Sequence, residues 1–239
     1  MKIDAQKIID ETVAVFEKSG AVEFYKNAQL VMDEDYKRLH PSFLTATNIK
    51  IDCDKFNQEI QQFDNYFEQW GNDHQHLPRY GLALVNQDGI LKIKDPVNGS
   101  LMAWNRDHPT LPLVETDCVK PTSVMQIQSL KPLTVLDGHW CRSNIFKWHK
   151  DAFFFPHIDT VVPSMWIRLW ATTSPNIDVR YYNKNTECLE IVENIEPGRV
   201  YIIDTSLVHD ANATSDNVYQ LFLSVLPSAK DLLLKHTAN

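Results

Sequence analysis

The chain has 239 residues, 44% of them hydrophobic, which suffices for one sizeable core, and all-β barrels of this length usually form a single domain. The formal charge is −8, from 23 Lys+Arg against 31 Asp+Glu, and the basic residues are scattered, so no positive stripe is offered to a phosphate backbone. Met1-Lys2-Ile3-Asp4 lacks an apolar signal core and no uncharged run reaches about 18 residues, which leaves a soluble, cytoplasmic protein without nucleic-acid or membrane partners as the expectation.

The N-terminal third reads as helical. Asp4 caps a segment in which Ile9, Val13 and Phe16 recur at helical spacing before Gly20 ends it. A second segment has Asp54 as cap, Phe56, Ile60, Phe63, Phe67 and Trp70 on one face, and Gly71 as stop. Such an aromatic stripe is the face that a helix packs on a sheet. From about residue 79 short apolar runs alternate with turn residues. Tyr80 to Val85 reads as a strand entering a hairpin at Gln87-Asp88-Gly89, with Ile90 to Ile93 returning. Residues 95–100 and 105–109 are loops by composition.

The C-terminal half is a succession of predicted strands: 143–148, 153–158, 166–172, 179–182, 189–192, 200–203 and 218–225, all rich in β-branched or aromatic residues. Turn signals separate them, notably Ser174-Pro175-Asn176 and Glu196-Pro197-Gly198. This pattern predicts a mainly β fold with flanking helices, a double-sheet jelly roll. The expected organisation is one domain over 1–239, with mostly helical support at 1–78, strands and loops over the site at 79–139, and the barrel core at 140–227. Cys53, Cys118, Cys141 and Cys188 are far apart and form no C-x-x-C pair, so they read as free, mostly buried thiols.

Two short segments carry the chemistry. Pro156-His157-Ile158-Asp159 lies about 50 positions upstream of Val208-His209-Asp210-Ala211, with strand-like sequence through both. On a strand, side chains repeat every second residue, so His157 and Asp159 face the same way, and His209 from another strand supplies a third ligand. Two histidines and one carboxylate on one face of an octahedral Fe(II) leave three positions open, which suits an organic cosubstrate and O2. A rival triplet, His149-Lys150-Asp151, sits where a turn is expected. For His209 the alternative is a capped surface histidine. His74 and His76 read as solvated, His40, His108 and His139 as loop residues, and His236 as part of the tail.

Arg168 lies between Trp166 and Trp170 on one face of its strand, and a buried guanidinium there needs an anionic partner. That partner is either a bound carboxylate or an internal Asp or Glu. Arg142, at the start of the neighbouring strand, either adds charge to the same seat or makes a structural salt bridge.

The order Pro156-His157-Ile158-Asp159, Arg168, Glu196-Pro197-Gly198-Arg199-Val200-Tyr201-Ile202-Ile203-Asp204 and His209 resembles the Fe(II)/2-oxoglutarate dioxygenases, within them the aspartyl/asparaginyl β-hydroxylase type and its proline-hydroxylase relatives. The resemblance covers residues 140 to 227. It implies a double-stranded β-helix, cupin-like, with Fe(II) held by His157, Asp159 and His209 and with 2-oxoglutarate and O2 as cosubstrates. It also implies that Arg168 binds the 2-oxoglutarate, and Arg142 at the start of the neighbouring strand is a candidate to assist it. The implied activity is hydroxylation of an amino acid, free or in a peptide, with release of succinate and CO2, and Arg79, Arg106 and Asp95 are candidates to hold the substrate's charged groups. One departure stands out: members commonly place an Arg about ten residues after the distal histidine to hold the distal carboxylate, and here Tyr219 occupies that position. Two other readings remain open, a non-catalytic metal-binding barrel or sensor and a cupin-like metalloenzyme that does not use 2-oxoglutarate.

Overall fold

Alternating inward and outward side chains from residue 140 onward build two facing antiparallel sheets. The computed structural model describes residues 3–18, 34–69, 79–94, 98, 101, 104–105, 108, 110–111, 113–159 and 166–237. The barrel strands are β5 (Trp140–Trp148), β6 (Phe153–His157), β7 (Ile167–Thr172), β8 (Ile177–Asn183), β9 (Cys188–Ile191), β10 (Arg199–Ile203), β11 (His209–Ala213) and β12 (Val218–Val225). Four earlier strands precede them: β1 (Leu44–Lys50), β2 (Glu68–Gln69), β3 (Arg79–Asn86) and β4 (Lys120–Pro121). The larger sheet has the order β1-β10-β7-β12-β5-β3-β2, with β4 on β3, and the smaller has β6-β11-β8-β9. From β5 onward the chain passes from one sheet to the other at every step except the β8–β9 hairpin. That order is a double-stranded β-helix, as the sequence pattern predicts.

Each face of the larger sheet carries an apolar layer. Its outer face presents Leu82, Ile145, Leu169, Leu221 and Leu223 to helices, among them α3 (Cys53–Glu59), the 3-10 helix Ile60–Tyr66 and α4 (Lys230–His236). Phe56 and Ile60 are fully buried there, a contribution of about 1.5–3 kcal/mol each. The inner face packs Phe146, Trp148, Trp170 and Tyr201 against Ile177, Val179 and Ala213 of the smaller sheet. Phe43, just before β1, joins this inner layer and stacks on Tyr181 at 5.1 Å. Two other α-helices among the described residues are α1 (Ala5–Lys18), where Asp4 accepts a hydrogen bond from the Lys7 N–H, and α2 (Glu34–Leu39).

Several sequence expectations are corrected. Asp52, not Asp54, caps α3 by accepting from the Lys55 N–H, and the predicted long helix becomes a short α-helix followed by a 3-10 turn that stops at Tyr66. Residues 44–50, in the part read as helical, form β1 on the free edge of β10. Ile90 to Ile93 do not return as a strand, because β3 pairs instead with β5, β2 and β4. β11 lies outside the seven predicted segments. Gly20, Trp70, Gly71, His74, His76, Asp95, Arg106 and most of the 95–100 and 105–109 loops lie outside the described residues.

The Glu196-Pro197-Gly198 turn ties three parts of the fold together. Gly198 has a positive φ of 81°, donates its N–H to the Thr172 carbonyl at 2.7 Å and accepts from the Ile51 N–H at 2.9 Å.

Candidate metal centre and the arginines around it

β6 ends at His157, β11 begins at His209, and the two are direct cross-strand partners. Asp159 follows in a bend where its N–H donates to the Thr205 carbonyl at 3.1 Å. The predicted triad is therefore brought together, although Asp159 reaches it from beyond the end of the strand. One ligand atom from each of the three lies within 4.8 Å of the others. The His157 Nε2 is 3.0 Å from Asp159 Oδ1, and His209 Nε2 is 3.9 Å from Oδ2. Metal–ligand bonds of about 2.1 Å place neighbouring corners of an octahedron about 3 Å apart, so a single ion fits this spacing.

Tautomers point the same way. The Nδ1 atoms of His157 and His209 face the carbonyls of Phe155 and Leu207, at 2.6 and 2.8 Å, so both carry the proton at Nδ1. The Nε2 atoms then turn toward the Asp159 carboxylate: that of His157 lies within hydrogen-bond distance of it, whereas the buried His209 Nε2 has no hydrogen-bond partner. An unpaired buried imidazole nitrogen facing a carboxylate is an atom that a cation between them would satisfy. Burial, reinforced by the charge of His157, pushes His209 down to about 4, so its imidazole is neutral and available at neutral pH. For Asp159, burial favours the neutral acid, but the hydrogen bond and charge of His157, with His209 and Arg168, outweigh it and keep the carboxyl well below the usual range. This donor set fits Fe(II).

The rival triplet does not assemble. His149 is 40% exposed and contacts Asp216, while Asp151 sits in a turn with φ 64°. His108 stacks on Trp104, and His139 and His236 bond Ser228 and Asn48.

On the inner face of β7, Arg168 donates to Ser224 of β12 and approaches Glu115 at 3.7 Å. Arg142 donates to the same carboxylate at 3.3 Å. Glu115, in a 3-10 turn at Glu115–Asp117, is thus an internal anionic partner for both predicted arginines. Its contact with Arg168 is loose: the Arg168 Nε and Glu115 Oε2 are buried without hydrogen bonds. Tyr219 faces away from the barrel, against Phe56 and Phe67, and the neighbouring Gln220 points inward instead. Arg79, a candidate to hold the substrate's charged groups, opens β3 and is buried inside the barrel.

Behind His209, the fully buried Asp210 carboxylate receives two hydrogen bonds from Arg180 on β8, at 2.8 and 2.6 Å. No feature of the sequence singles out this pair. It fixes β11 to β8 one residue from His209. Arg180→Met is expected to cost about 2–3 kcal/mol in urea denaturation, because it strands a buried carboxylate; a loss below about 0.5 kcal/mol would mean that Asp210 is not held by the ion pair.

All four cysteines are free. Burial pushes Cys118 up to about 11 and Cys141 to about 12. A raised pKa leaves about one thiolate in a thousand or fewer at pH 8, so neither is expected to react with Ellman's reagent in the folded protein. Labelling should be confined to the half-buried Cys53 and Cys188, and all four should titrate in denaturant. Rapid native labelling of Cys141 would contradict the packing.

No protein-family model matches the sequence, and no curated protein matches it. Among solved structures, the chain is similar to a 2OG-Fe(II) oxygenase family oxidoreductase from Burkholderia pseudomallei, with 11% identity, coverage of 71% of this chain and 77% of that one, and a TM-score of 0.38. It is also similar to a Pseudomonas putida prolyl-4-hydroxylase, with 10% identity, coverage of 80% and 95%, and a TM-score of 0.43. An oxalate oxidase in complex with the substrate analogue glycolate matches at 11% identity over 66% of this chain and 55% of its own, with a TM-score of 0.32. Likeness at this level carries no argument about activity, which rests on the side chains.

Proposed function

We propose that the protein is an Fe(II)/2-oxoglutarate-dependent oxygenase that hydroxylates an amino acid, free or within a peptide. The observation that carries this reading is the convergence of His157, Asp159 and His209 on one point inside a double-stranded β-helix. Three protein ligands leave half of an octahedral coordination sphere for cosubstrate and O2. When bound, Fe(II) with 2-oxoglutarate supplies oxygen activation, with succinate and CO2 as co-products.

The residues of this chain bind, orient and exclude water. His157 and His209 are held in the ligating tautomer by the Phe155 and Leu207 carbonyls. Asp159 contributes the negative charge that offsets the metal. Arg168, close enough to help keep the Asp159 carboxyl ionised, is suited to the cosubstrate carboxylate beside the metal, with Arg142 and Glu115 supporting it. Phe43 and Phe154 pack against the two imidazoles and keep that side of the site dry.

One observation favours a second reading. Glu115 already pairs with Arg142 and Arg168, and Tyr219 points outward, which is compatible with a cupin-like metalloenzyme that works without 2-oxoglutarate. Anaerobic addition of Fe(II) and then 2-oxoglutarate to purified protein separates the two. A visible charge-transfer band, followed by succinate on admission of air, is expected. Oxygen uptake with 2-oxoglutarate omitted, and no band in its presence, would favour the second reading. An amino-acid panel scored by succinate release then identifies the substrate.

A further inference from the structure

The 3-10 turn Glu115–Asp117 carries two carboxylates with different tasks. Asp117 is exposed and accepts from the Val114 N–H at 2.8 Å, which closes the turn. The Glu115 side chain is only 15% exposed and reaches Arg142 at 3.3 Å and Arg168 at 3.7 Å.

Those two contacts are unequal. Arg142 donates to the Glu115 Oε1, whereas Oε2, the oxygen that faces Arg168, is buried with no hydrogen-bond partner among the described residues. Arg168 in turn donates through Nη1 to the neutral Ser224 hydroxyl and keeps Nε buried without an acceptor. Its other anionic neighbour, Asp159, has its oxygens turned to His157 and His209. A desolvated ion pair is well compensated only when its hydrogen bonds are made, so Glu115 offsets the Arg168 charge without satisfying its donors. Native interiors rarely leave a donor and an acceptor of one pair both unbonded. A carboxylate that met the guanidinium squarely would bind it better than Glu115 does.

We propose that Glu115 is an internal stand-in for the cosubstrate carboxylate: it occupies Arg168 before an acid binds, and an incoming 2-oxo acid displaces it from that guanidinium. The inference rests on the oxygenase reading and makes Glu115 the residue that sets the affinity for the acid. The contact that steadies Arg168 is then also the one that competes for it. Arg142 keeps hold of Oε1, and Asp117 keeps the turn closed, so a rotation of the Glu115 side chain suffices to release Arg168. A seat occupied about nine-tenths of the time weakens the apparent affinity of its ligand about tenfold.

The test is an anaerobic titration of 2-oxoglutarate into Fe(II)-loaded protein, followed by the charge-transfer band, with metal affinity measured separately by isothermal titration with Co(II). Glu115→Gln keeps the shape and an acceptor for Arg142 but removes the charge. It should bind 2-oxoglutarate about tenfold more tightly and Co(II) as the parent does. Should that variant not fold, Glu115→Asp decides in the same way: it keeps the charge but withdraws it from Arg168, and should tighten the acid about threefold. Asp117→Asn, in the same turn, should leave acid binding unchanged. Arg168→Met should weaken the acid, and adding Glu115→Gln to it should recover nothing, because the competition runs through that guanidinium. Equal or weaker acid binding in a folded Glu115 variant, or a tightening that survives the loss of Arg168, overturns the proposal while sparing the oxygenase reading. A parent and a Glu115→Gln protein that both give no band with 2-oxoglutarate remove both.

Discussion

His209→Ala is expected to weaken binding of a divalent metal by at least about 100-fold and to reduce 2-oxoglutarate turnover below detection. The magnitude follows from its place in the site. Its Nε2 is a buried lone pair with no protein partner, its Nδ1 is fixed by the Leu207 carbonyl, and its low proton affinity keeps it ready to coordinate at neutral pH. Alanine removes one of three ligands and leaves Asp159 facing a single imidazole. Metal content after dialysis, measured by atomic emission, and isothermal titration with Co(II) read the effect directly. His149→Ala is the matched control, because His149 is turned toward Asp216 at the surface. If loss of His149 depleted the metal as strongly as loss of His209, the assignment of the centre would be wrong. Asp159→Ala should behave like His209→Ala, and full turnover by that variant would exclude the carboxylate as a ligand.

Gly198→Ala is expected to destabilise the protein by about 3 kcal/mol or more, lowering the melting temperature by roughly 6–12 °C. A Cβ at this position would meet the Ile51 carbonyl oxygen at 2.4 Å and the Cys53 sulfur at 2.9 Å, and the φ of 81° is strained for any L side chain. The neighbouring backbone cannot retreat freely, because Ile51 is bonded to the same glycine. Gly138 separates the two causes. It has a similar φ of 84° with nothing within 4 Å, so Gly138→Ala should cost only the conformational penalty, about 1 kcal/mol. Equal losses at the two positions would show that close packing at the Glu196-Pro197-Gly198 turn contributes nothing.

The parts of the fold written in local periodicity were legible. β7 and β12 are dense in apolar and aromatic side chains that alternate between two buried faces, and they appear within a residue of their predicted bounds. β11 was expected only as strand-like sequence around His209, without bounds, because His-Asp-Ala-Asn-Ala carries no β-branched residue and is held by its neighbours on both sides. β1 was hidden for a related reason: it owes its conformation to the edge of β10, about 150 positions away. The clustering of His157, Asp159 and His209 could be read because an H-x-D at a strand end and a distant histidine encode their own geometry. Their surroundings could not. Glu115 has no local signature and finds Arg142 only through the fold, and whether Tyr219 or Gln220 faces the interior depends on a single residue of register.

Phe43 stacks on Tyr181 and reaches to 5.7 Å from the His209 ring, while the strand that follows it completes the edge of the larger sheet. A stretch of sequence more than a hundred positions ahead of His157 and His209 thus packs against one side of the histidine pair. The eight barrel strands are consequently not a self-contained unit: an excised 140–227 fragment would expose the imidazoles of His157 and His209 to solvent and leave β10 with an open edge prone to self-association.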